Sequence, residues 1–588
     1  MKTDKKRILQ SYDQALPDIF RFQFISKSLL GLWLFLLGKL SEQLLRSSGR
    51  PALTSGDFTF LFTSWQGILV LLIGLASMFV YVATDLNAQI VLSRELLAGS
   101  RISVTGILRE GFVSVRKLIA PKGFLALGYL MLIAPILGMG LSVSATKDFY
   151  IPSFIAEVIR DTPLYLVGVS FLVLVFLSVG VANLFFLHGI VLDDLAPGEA
   201  GIQSKQLIRK NWQNYLRQNL LFVVFTILIL GAVTLLFLII PLALIETLPL
   251  SPAVGRLLTI LFVVIGVLFS LLVDLMITPV YLIRMTQLFL SYKQGEPFVF
   301  RRESRPEHHK AAAVLETVLV IGILAVAVFS MNRHFDELFP LESSVEIIAH
   351  RAGGIEAAEN TLAGFDAAWK AGAYGSETDV QRTKDGAYIL NHDANFSRVA
   401  NNPGKPEAMT LAEVRTLSVD GESIPTLEEA LNACRGRIIL FIELKGATAD
   451  RQMADDVVRM VRDMDMADAC VLISLDYDLI DYIESTYPEM QTGFLLFAAY
   501  GEISDLNCDC LAVEEETATP KNIAAIHRQG KKVLVWTVNR KESQKKLLCS
   551  NVDGIITDHV SQAAEIRNEL SHRADFQRMI DRIHSDLS

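Results

Sequence analysis

Seven long apolar runs in the first 335 residues constrain this chain more than any other feature. They lie near residues 22–45, 60–84, 119–145, 164–187, 218–245, 257–282 and 312–331. Each reaches the roughly 20 residues that a helix needs to cross the hydrocarbon core of a bilayer. No comparable run follows, so the chain divides into a membrane part and a part of ordinary composition. The sequence predicts a multi-pass α-helical membrane domain of about seven helices.

The distribution of basic residues predicts how this domain is oriented. If the N-terminus is cytoplasmic, Lys and Arg in the inside segments outnumber those in the outside segments by about four to one. One inside loop holds five of them: Arg94, Arg101, Arg109, Arg116 and Lys117. The first run has no small-residue cleavage site after it, which indicates a retained anchor. An odd number of spans then places everything after Met331 outside the cytoplasm.

Composition excludes two other classes of protein. The net charge is -9 and the basic residues form no broad face, which argues against nucleic-acid binding. All five cysteines lie in the second half without a paired CxxC, so we expect neither a zinc site nor a disulfide framework.

The second half predicts a parallel (β/α)8 barrel, because short β-rich runs alternate with helical segments. The eight runs are VEIIA, YGSETDV, RIILFIEL, CVLIS, TGFLLF, LAVE, KVLVWTV and GIIT. The predicted domains are residues 1–335 in the membrane, a connector at 336–344, the barrel at 345–570 and a polar tail at 571–588. The short connector implies that the barrel lies close to the bilayer surface.

A ninth run, residues 387–391, follows the second barrel strand too closely for a parallel crossover. It is predicted to fold back as a hairpin through a two-residue type I′ turn at Asp385-Gly386. That turn pairs Lys384 with Ala387 and, in the same register, Asp379 with His392.

Polar side chains occur where these strands end, and barrels of this kind place their chemistry at the carboxyl ends of the strands. The residues are His350, Arg351, Glu377, Asp379, His392, Asp393, Glu443 and Lys445. A group of carboxylates without cysteine suits a hard cation such as Mg²⁺ or Ca²⁺, and a phosphoryl oxygen can complete its coordination. This pattern predicts a divalent-metal site at the rim where these strand ends meet.

Two histidines beside such a metal provide what phosphodiester cleavage requires. One acts as a base for the attacking oxygen and the other as an acid for the leaving alkoxide. Arg351 and Lys445 are predicted to neutralise the phosphate. Trp536 ends another barrel strand. Two roles of its side chain remain open, lining the pocket and packing in the core or at the mouth.

These residues resemble the glycerophosphodiester phosphodiesterase family. The matching segments, in family order, are AHRAGGIEAAENTLAGF, SETDVQRTKDGAYILNHD, IPTLEEAL, FIELK, VLVWTVN and DGIITD. The apolar half is similar to the membrane domain of a bacterial subgroup. The resemblance implies Glu377, Asp379 and Glu443 as the metal ligands, with Glu359 at or near the metal. It implies His350 and His392 as general base and acid, and release of sn-glycerol 3-phosphate and an alcohol. Together with the orientation predicted above, it gives a reaction at the outer surface of a bacterial cell membrane.

Two departures from the family pattern affect the substrate expectation. Ala352 replaces the usual Gly after His-Arg, and Ala358 replaces the usual Pro before ENT. The substrate class stays open among free glycerophosphodiesters, lipid headgroups and polyglycerol-phosphate polymers. Two alternatives also remain: phospholipase D-like cleavage of intact membrane lipids, and a sensor or transporter whose barrel only binds ligand.

Overall fold

The computed structural model describes residues 2–49, 52–54, 59–100, 103–120, 123, 158–160, 162–295, 310–340, 343–497 and 499–587. These residues form two compact units. The first holds the described residues of Met1–Lys39, Leu69–Tyr150 and Val158–His334, and the second those of Leu40–Ile68 and Phe335–Ser588. The predicted boundary near residue 335 remains a prediction, and the segment around residues 40–68 joins the second unit.

The first half of the chain is built from helices. They are α1 (Lys2–Ser47), α2 (Phe60–Thr63), α3 (Trp65–Ala98), α4 (Val104–Leu118), α5 (Pro163–Ala182), α6 (Phe186–Leu192), α7 (Pro197–Thr234), a π-helical turn (Leu235–Ile239), α8 (Ile240–Thr247), α9 (Pro252–Gln294) and α10 (Lys310–Arg333). Several begin with Pro at the first helical position, where the missing N–H is not needed.

Five helical stretches are long and apolar enough to cross a membrane. They are Leu16–Ser47, Trp65–Ala98, Pro163–Leu192, Pro197–Ile245 and Ala253–Gln294. They correspond to five of the seven predicted runs and confirm a multi-pass helical domain. The run at 312–331 lies within α10. Nearly all of the run at 119–145 falls outside the described residues, so the count of seven remains a prediction.

One carboxylate is buried between α1 and α3. Asp85 is only 2% exposed, and both of its oxygens accept hydrogen bonds. Ser26 donates to one oxygen at 2.9 Å, while Lys27 at 3.1 Å and Gln89 at 2.7 Å donate to the other. The charge of Asp85 is therefore matched by one ammonium and two neutral donors, which is the usual way to stabilise an ionised group in an apolar helix bundle.

The described residues of the second unit form thirteen short strands. They are β1 (Ala52–Thr54), β2 (Glu346–Ala349), β3 (Gly375–Arg382), β4 (Tyr388–Leu390), β5 (Ser418–Val419), β6 (Glu422–Ser423), β7 (Ile439–Leu444), β8 (Cys470–Ser474), β9 (Gln491–Leu496), β10 (Ala499–Gly501), β11 (Cys510–Glu514), β12 (Lys532–Trp536) and β13 (Gly554–Thr557). Eight are parallel and close a barrel in the order β2, β3, β7, β8, β9, β11, β12, β13, since β13 pairs with β2. The predicted (β/α)8 fold is confirmed.

Helices connect these strands. They are α11 (Phe335–Leu338), α12 (Leu362–Lys370), α13 (Ser397–Ala400), α14 (Leu411–Val414), α15 (Leu427–Cys434), α16 (Arg451–Asp463), α17 (Tyr477–Thr486), α18 (Pro520–Arg528), α19 (Lys541–Leu548), α20 (Val560–Leu570) and α21 (Asp575–Leu587). Short 3₁₀ turns lie at Pro406–Ala408, Gly446–Thr448, Ala467–Ala469, Ile503–Asp505 and Glu515–Thr517. Thr426 begins α15 with a reciprocal capping box to Glu429.

Alternation along the strands determines which side chains face the barrel interior. Ile348 belongs to the inner cluster, together with Phe441 and Ile556, whereas Ile347 and Ala349 pack outward against the helices. Because strand side chains repeat every two residues, the residue two positions after each inner one points into the mouth. The five cysteines are buried, and each is a free thiol.

The hairpin after β3 exists, but its predicted register is wrong by one residue. Val380 pairs with Leu390, so Asp379 faces Asn391 and not His392. The loop has three residues, Lys384, Asp385 and Gly386, and only Gly386 has a positive φ, of 88°. Thr383 closes this wider turn, because its carbonyl accepts from the Gly386 N–H at 3.0 Å and its hydroxyl from the Ala387 N–H at 2.9 Å. A type I′ turn needs two positive φ angles.

A short strand from the first half of the chain belongs to the second unit. In antiparallel pairing, β1 aligns Ala52 with Gly501, Leu53 with Tyr500 and Thr54 with Ala499. The three residues of β1 are at most 7% exposed, and Ala52 is part of the cluster between the barrel and its helices. No motif predicted this pairing.

Candidate active site

The acidic residues predicted to bind a metal lie side by side on two neighbouring strands. Glu377 and Asp379 occupy alternate positions of β3, and Glu443 lies on β7 directly opposite Asp379. Glu377 is paired in the same way with Phe441, a member of the inner cluster. All three carboxylates therefore point inward at the carboxyl ends of their strands, where the sequence predicts them.

These carboxylates form a compact buried group. Oxygen atoms of Glu377, Asp379 and Glu443 lie within 4.8 Å of one another, and the three residues are 3%, 0% and 7% exposed. Lys445 contacts Asp379 at 3.0 Å and Glu443 at 3.1 Å. One oxygen of Glu377, Oε1, has no hydrogen-bond partner among the described residues. A buried carboxylate oxygen without a partner is costly unless a ligand completes its surroundings.

The electrostatics of this group show a shortage of positive charge. Burial and the neighbouring carboxylates of Asp379 and Glu443 raise the pKa of Glu377 well above its ordinary value. Burial, partly offset by Lys445, raises the pKa of Glu443 to about 8. Burial also opposes the charge of Asp379, but Lys445 and His392 hold the pKa of Asp379 below its ordinary value. Three acidic groups thus share one ammonium.

The donor set fits a divalent cation. It offers only carboxylate oxygens, which are ligands of hard cations such as Mg²⁺ and Ca²⁺. The unpartnered Glu377 Oε1 and the raised pKa values of Glu377 and Glu443 are both relieved by a positive ion between the three side chains.

His350 lies two residues after Ile348 and is held by a carboxylate. Its Nδ1 is 2.8 Å from Oδ1 of Asp558, which directly follows the eighth barrel strand, β13. The second oxygen of Asp558 accepts from the Asn539 side chain at 2.6 Å, and the Asp558 N–H donates to the same amide at 2.9 Å. Although burial disfavours its charge, hydrogen bonds from His350 and Asn539 keep the pKa of Asp558 below its ordinary value. The contact leaves Nε2 of His350 for a substrate.

His392 has an equivalent partner from a different part of the chain. Its Nδ1 is 2.8 Å from Oδ1 of the adjacent Asp393, whose other oxygen accepts from Arg398 at 2.8 Å. Burial lowers the pKa of His392, and the charges of Lys445 and Arg351 lower it further. Both histidines therefore use Nδ1 for orientation and keep Nε2 available.

Glu359, implied by the family resemblance to lie at or near the metal, is occupied by cations of the chain itself. Arg398 binds both of its oxygens, at 2.6 and 2.8 Å, and Arg351 approaches one of them at 3.3 Å. Glu359 is not among the three residues whose oxygens cluster in the described structure. Arg398 thus connects Glu359 to Asp393 and, through it, to His392.

The loop after β2 has an unusual backbone. Arg351 and Ala352 have φ values of 48° and 75°, in the left-handed region that favours glycine. The Arg351 N–H donates to Glu377 at 2.8 Å, and the Ala352 N–H donates to the Glu377 carbonyl. The position of Ala352 explains why glycine is usual there. Gly354 has a φ of 60°, and a Cβ at this position would come within 2.2 Å of the Asp558 carbonyl.

Sequence reasoning missed several residues that organise the site. Asn360 donates to Asp379 at 2.9 Å while its amide oxygen accepts from Thr378 at 2.6 Å. The roles of Asp558 and Arg398 were also missed. Asp558 was detectable, because it lies two residues after the inward Ile556 and so occupies a strand end like the others. No comparable signal marks Arg398.

Trp536 ends β12 and packs against the inner cluster while remaining partly exposed. Its indole N–H donates to the Ala512 carbonyl at 2.8 Å. A role in lining the pocket remains a prediction.

Comparison with known proteins relates both halves of the chain to the same enzyme family. Residues 350–562 match the model of the glycerophosphoryl diester phosphodiesterase family. Residues 5–329, more than half of the chain, match the model of the membrane domain of glycerophosphoryl diester phosphodiesterase. Enzymes of this family depend on a divalent metal, and the acidic group described above is present.

Individual relatives cover the barrel. A glycerophosphodiester phosphodiesterase of Caldanaerobacter subterraneus subsp. tengcongensis is 28% identical over 36% of this chain and 93% of its own. The structure of a glycerophosphodiester phosphodiesterase from Thermotoga maritima is 26% identical, with a TM-score of 0.34 over 38% of this chain and 98% of its own. That of a phosphodiesterase from Oleispira antarctica in complex with sn-glycerol 3-phosphate is 25% identical, with a TM-score of 0.36 over 38% and 96%.

Proposed function

Because this chain belongs to the glycerophosphodiester phosphodiesterase family, in the group that carries a membrane domain, we propose that it hydrolyses glycerophosphodiesters by metal-dependent acid/base catalysis with two histidines. The products are sn-glycerol 3-phosphate and an alcohol. One observation carries the proposal: two carboxylate-oriented histidines and a buried carboxylate triad share the carboxyl ends of one barrel's strands.

The histidines divide the proton transfers between them. Asp558 and Asp393 bind the Nδ1 atoms, so each ring presents Nε2 in a fixed orientation. One Nε2 accepts the proton of the attacking water, and the other donates a proton to the oxygen of the leaving alcohol. The phosphorus gains a bond to the water oxygen as its bond to the alcohol oxygen breaks.

The charged residues of the mouth bind the phosphate. Arg351 and Lys445 neutralise its negative oxygens. Glu377, Asp379 and Glu443 would hold Mg²⁺ or Ca²⁺, which supplies positive charge to a phosphoryl oxygen when bound. Glu359 fixes Arg351 at 3.3 Å and so orients the guanidinium in this proposal.

We propose that the barrel lies outside the cytoplasm, with the N-terminus inside. Beside the distribution of basic residues, the pairing of β1 with β10 supports this orientation. The strand β1 lies between the first two predicted spans, and paired strands occupy the same side of a bilayer. If the N-terminus is cytoplasmic, the loop that contains β1 and the barrel are both external.

An assay of the purified full chain tests this function. We expect release of glycerol 3-phosphate from sn-glycero-3-phosphoethanolamine, loss of activity with a chelator, and recovery with Mg²⁺ or Ca²⁺. His350→Ala should abolish release. His527→Ala is the matched control, because His527 also contacts a carboxylate, Asp553, at 2.8 Å but lies at the opposite end of the barrel. Full activity after chelation or in His350→Ala would refute the mechanism.

A further inference from the structure

The strand β1, which comes from the first half of the chain, pairs with β10 at the mouth of the barrel. β10 begins three residues after β9 ends, so it lies at the carboxyl end of the fifth barrel strand, on the same face as the histidines. Arg46, near the end of α1, binds Asp505 just beyond β10 at 2.6 Å. The strands β1 and β10 thus form one wall of the mouth. Their pairing and the ion pair of Arg46 with Asp505 are two independent contacts that attach this wall to the end of the first predicted span.

Chain length limits how far this wall can be from the bilayer. Four residues separate Ser47, the last residue of α1 and of its apolar stretch, from Ala52 in β1. The five Cα-to-Cα steps from Ser47 to Ala52 extend to roughly 18 Å at most. Beyond β1, the side chains of Phe62 and Trp65 are 68% and 65% exposed at the start of the next apolar helix. Exposed aromatic residues at this position are typical of a membrane interface.

Apolar side chains are also exposed at the mouth itself. Ile355, in the loop after β2, is 66% exposed. Its N–H donates to the backbone carbonyl of Asp558, the residue whose side chain contacts His350. Leu475, directly after β8, is 40% exposed. A glycerol phosphate group is polar and buries no apolar surface against these two side chains, whereas an alkyl chain does.

We propose, on the basis of the function proposed above, that the mouth takes glycerophosphodiesters whose alcohol is a long-chain lipid held in the bilayer. The wall formed by β1 and β10 keeps the mouth at the membrane surface, and Ile355 and Leu475 contact the first methylenes of the lipid. Water attacks the phosphorus, the bond to the lipid alcohol breaks, and a histidine protonates the alkoxide. Glycerol 3-phosphate leaves into water, and the alcohol remains in the bilayer.

Two probes with the same polar group test this substrate class. The full chain, reconstituted in phosphatidylcholine vesicles, receives either sn-glycero-3-phosphohexadecanol in the bilayer or sn-glycero-3-phosphoethanol in solution. We expect kcat/KM for the hexadecyl ester to exceed that for the ethyl ester by roughly tenfold or more. The bilayer concentrates the hexadecyl ester beside the mouth, and Ile355 and Leu475 shield from water the first methylenes that leave the bilayer. A ratio of one or less would overturn the inference. Inactivity on both esters would overturn the proposed function itself.

Substitutions at the mouth show whether the preference arises there. In the double variant Ile355→Ser with Leu475→Ser, the ratio of the two kcat/KM values should fall by roughly tenfold. Tyr374→Ser is the matched control, since Tyr374 is also 40% exposed but lies at the opposite end of β3. An unchanged ratio in the double variant, or an equal fall in Tyr374→Ser, would overturn the role assigned to the mouth.

A covalent link tests the wall. Thr54 and Ala499 are directly opposed across β1 and β10, so Thr54→Cys with Ala499→Cys should form a disulfide on oxidation. The linked protein should keep its preference for the hexadecyl ester. A folded, active protein that forms no link would contradict the pairing, and loss of the preference on linking would contradict its role.

Discussion

Both units of this protein bury carboxylates, but only the barrel leaves them short of positive charge. In the helical unit, Asp85 receives an ammonium and two neutral donors, and both of its oxygens are bonded. In the barrel, three carboxylates share Lys445, and Oε1 of Glu377 has no partner among the described residues. The buried carboxylate of the helical unit thus has its hydrogen-bond partners and counter-charge within the chain, whereas the carboxylates of the barrel triad do not.

The difference distinguishes a structural ion pair from the metal site proposed above. Removing a charge from water is costly, and a buried pair offsets that cost only with good geometry and full hydrogen bonding. Asp85 meets both conditions within the chain, so it holds α1 and α3 together. In the barrel triad the chain supplies one ammonium for three carboxylates, and burial and the neighbouring carboxylates raise the pKa values of Glu377 and Glu443. Substitutions should therefore have opposite consequences in the two clusters.

The largest effect is expected from removing one triad carboxylate. Glu443→Gln should reduce kcat/KM by about 10³-fold, because the cation site loses a charged ligand. The metal-free variant should be at least as stable as the wild type, since like charges no longer face one another. Release of glycerol 3-phosphate and thermal unfolding measure the two effects. Glu346→Gln, at the other end of β2, is the control, and similar losses in both variants would contradict the assignment.

The next largest effect concerns the histidines, for which the two units also differ. The buried His188 of the helical unit contacts a hydroxyl, that of Thr286, at 3.1 Å, whereas His350 contacts the carboxylate of Asp558. Asp558→Asn should lower kcat/KM by about 10²-fold through misorientation of His350. The loss should appear in kcat and leave KM nearly unchanged, because His350 acts in proton transfer and not in substrate binding.

A merely structural role for Asp558 would reduce the amount of folded enzyme without changing kcat per folded molecule. Asp553→Asn provides the comparison, because Asp553 pairs with His527 at the same 2.8 Å distance but far from the mouth. Its kcat per folded molecule should match that of the wild type. If Asp558→Asn also keeps the wild-type kcat per folded molecule, the positioning role is wrong.

In the helical unit the expected effect is on stability. Asp85→Asn leaves the partly buried ammonium of Lys27 without its counter-ion, with the Tyr81 hydroxyl at 3.3 Å as a neutral contact. We expect a loss of about 2 kcal/mol in the free energy of unfolding, measured in detergent with denaturant. Activity per folded molecule should not change. Adding Lys27→Met should restore part of the stability; a further loss would contradict the ion-pair interpretation.

The same contrast explains how much the sequence predicts. The barrel strands, their inward side chains and the common rim of their polar ends follow from a period of two residues and from the rule that strand ends converge. The hairpin register does not, because the Thr383 hydroxyl stabilises a three-residue loop where the Asp-Gly pair favours a two-residue turn. That single contact moves Asp379 opposite Asn391.

Long-range contacts account for most of what the sequence does not predict. β1 has three residues between two apolar runs, and its partner lies more than 440 positions later in the chain. Arg398 reaches Glu359 and Asp393 from a four-residue helix without any motif. The helical unit shows the same limit, since hydropathy locates its spans but not the partner of Asp85.

The smallest effect expected, and the most direct measure of the missing charge, is the pH dependence of metal binding. In the metal-free protein the pKa of Glu443 is about 8, well above the value of about 4.5 for an unfolded chain. At a pH between these two pKa values, the folded protein therefore holds a proton on Glu443 that the unfolded chain has lost. The cation must displace that proton, and its Kd should fall by up to about tenfold per pH unit from pH 6 to 8. By the same sign, the metal-free protein should become less stable as pH rises through this range. Calorimetric titration with Mg²⁺ in buffers of different ionisation enthalpy measures the proton release, and Glu443→Gln should reduce it. A Kd independent of pH would mean that the triad is already ionised, and that Lys445 alone compensates it as Lys27 compensates Asp85.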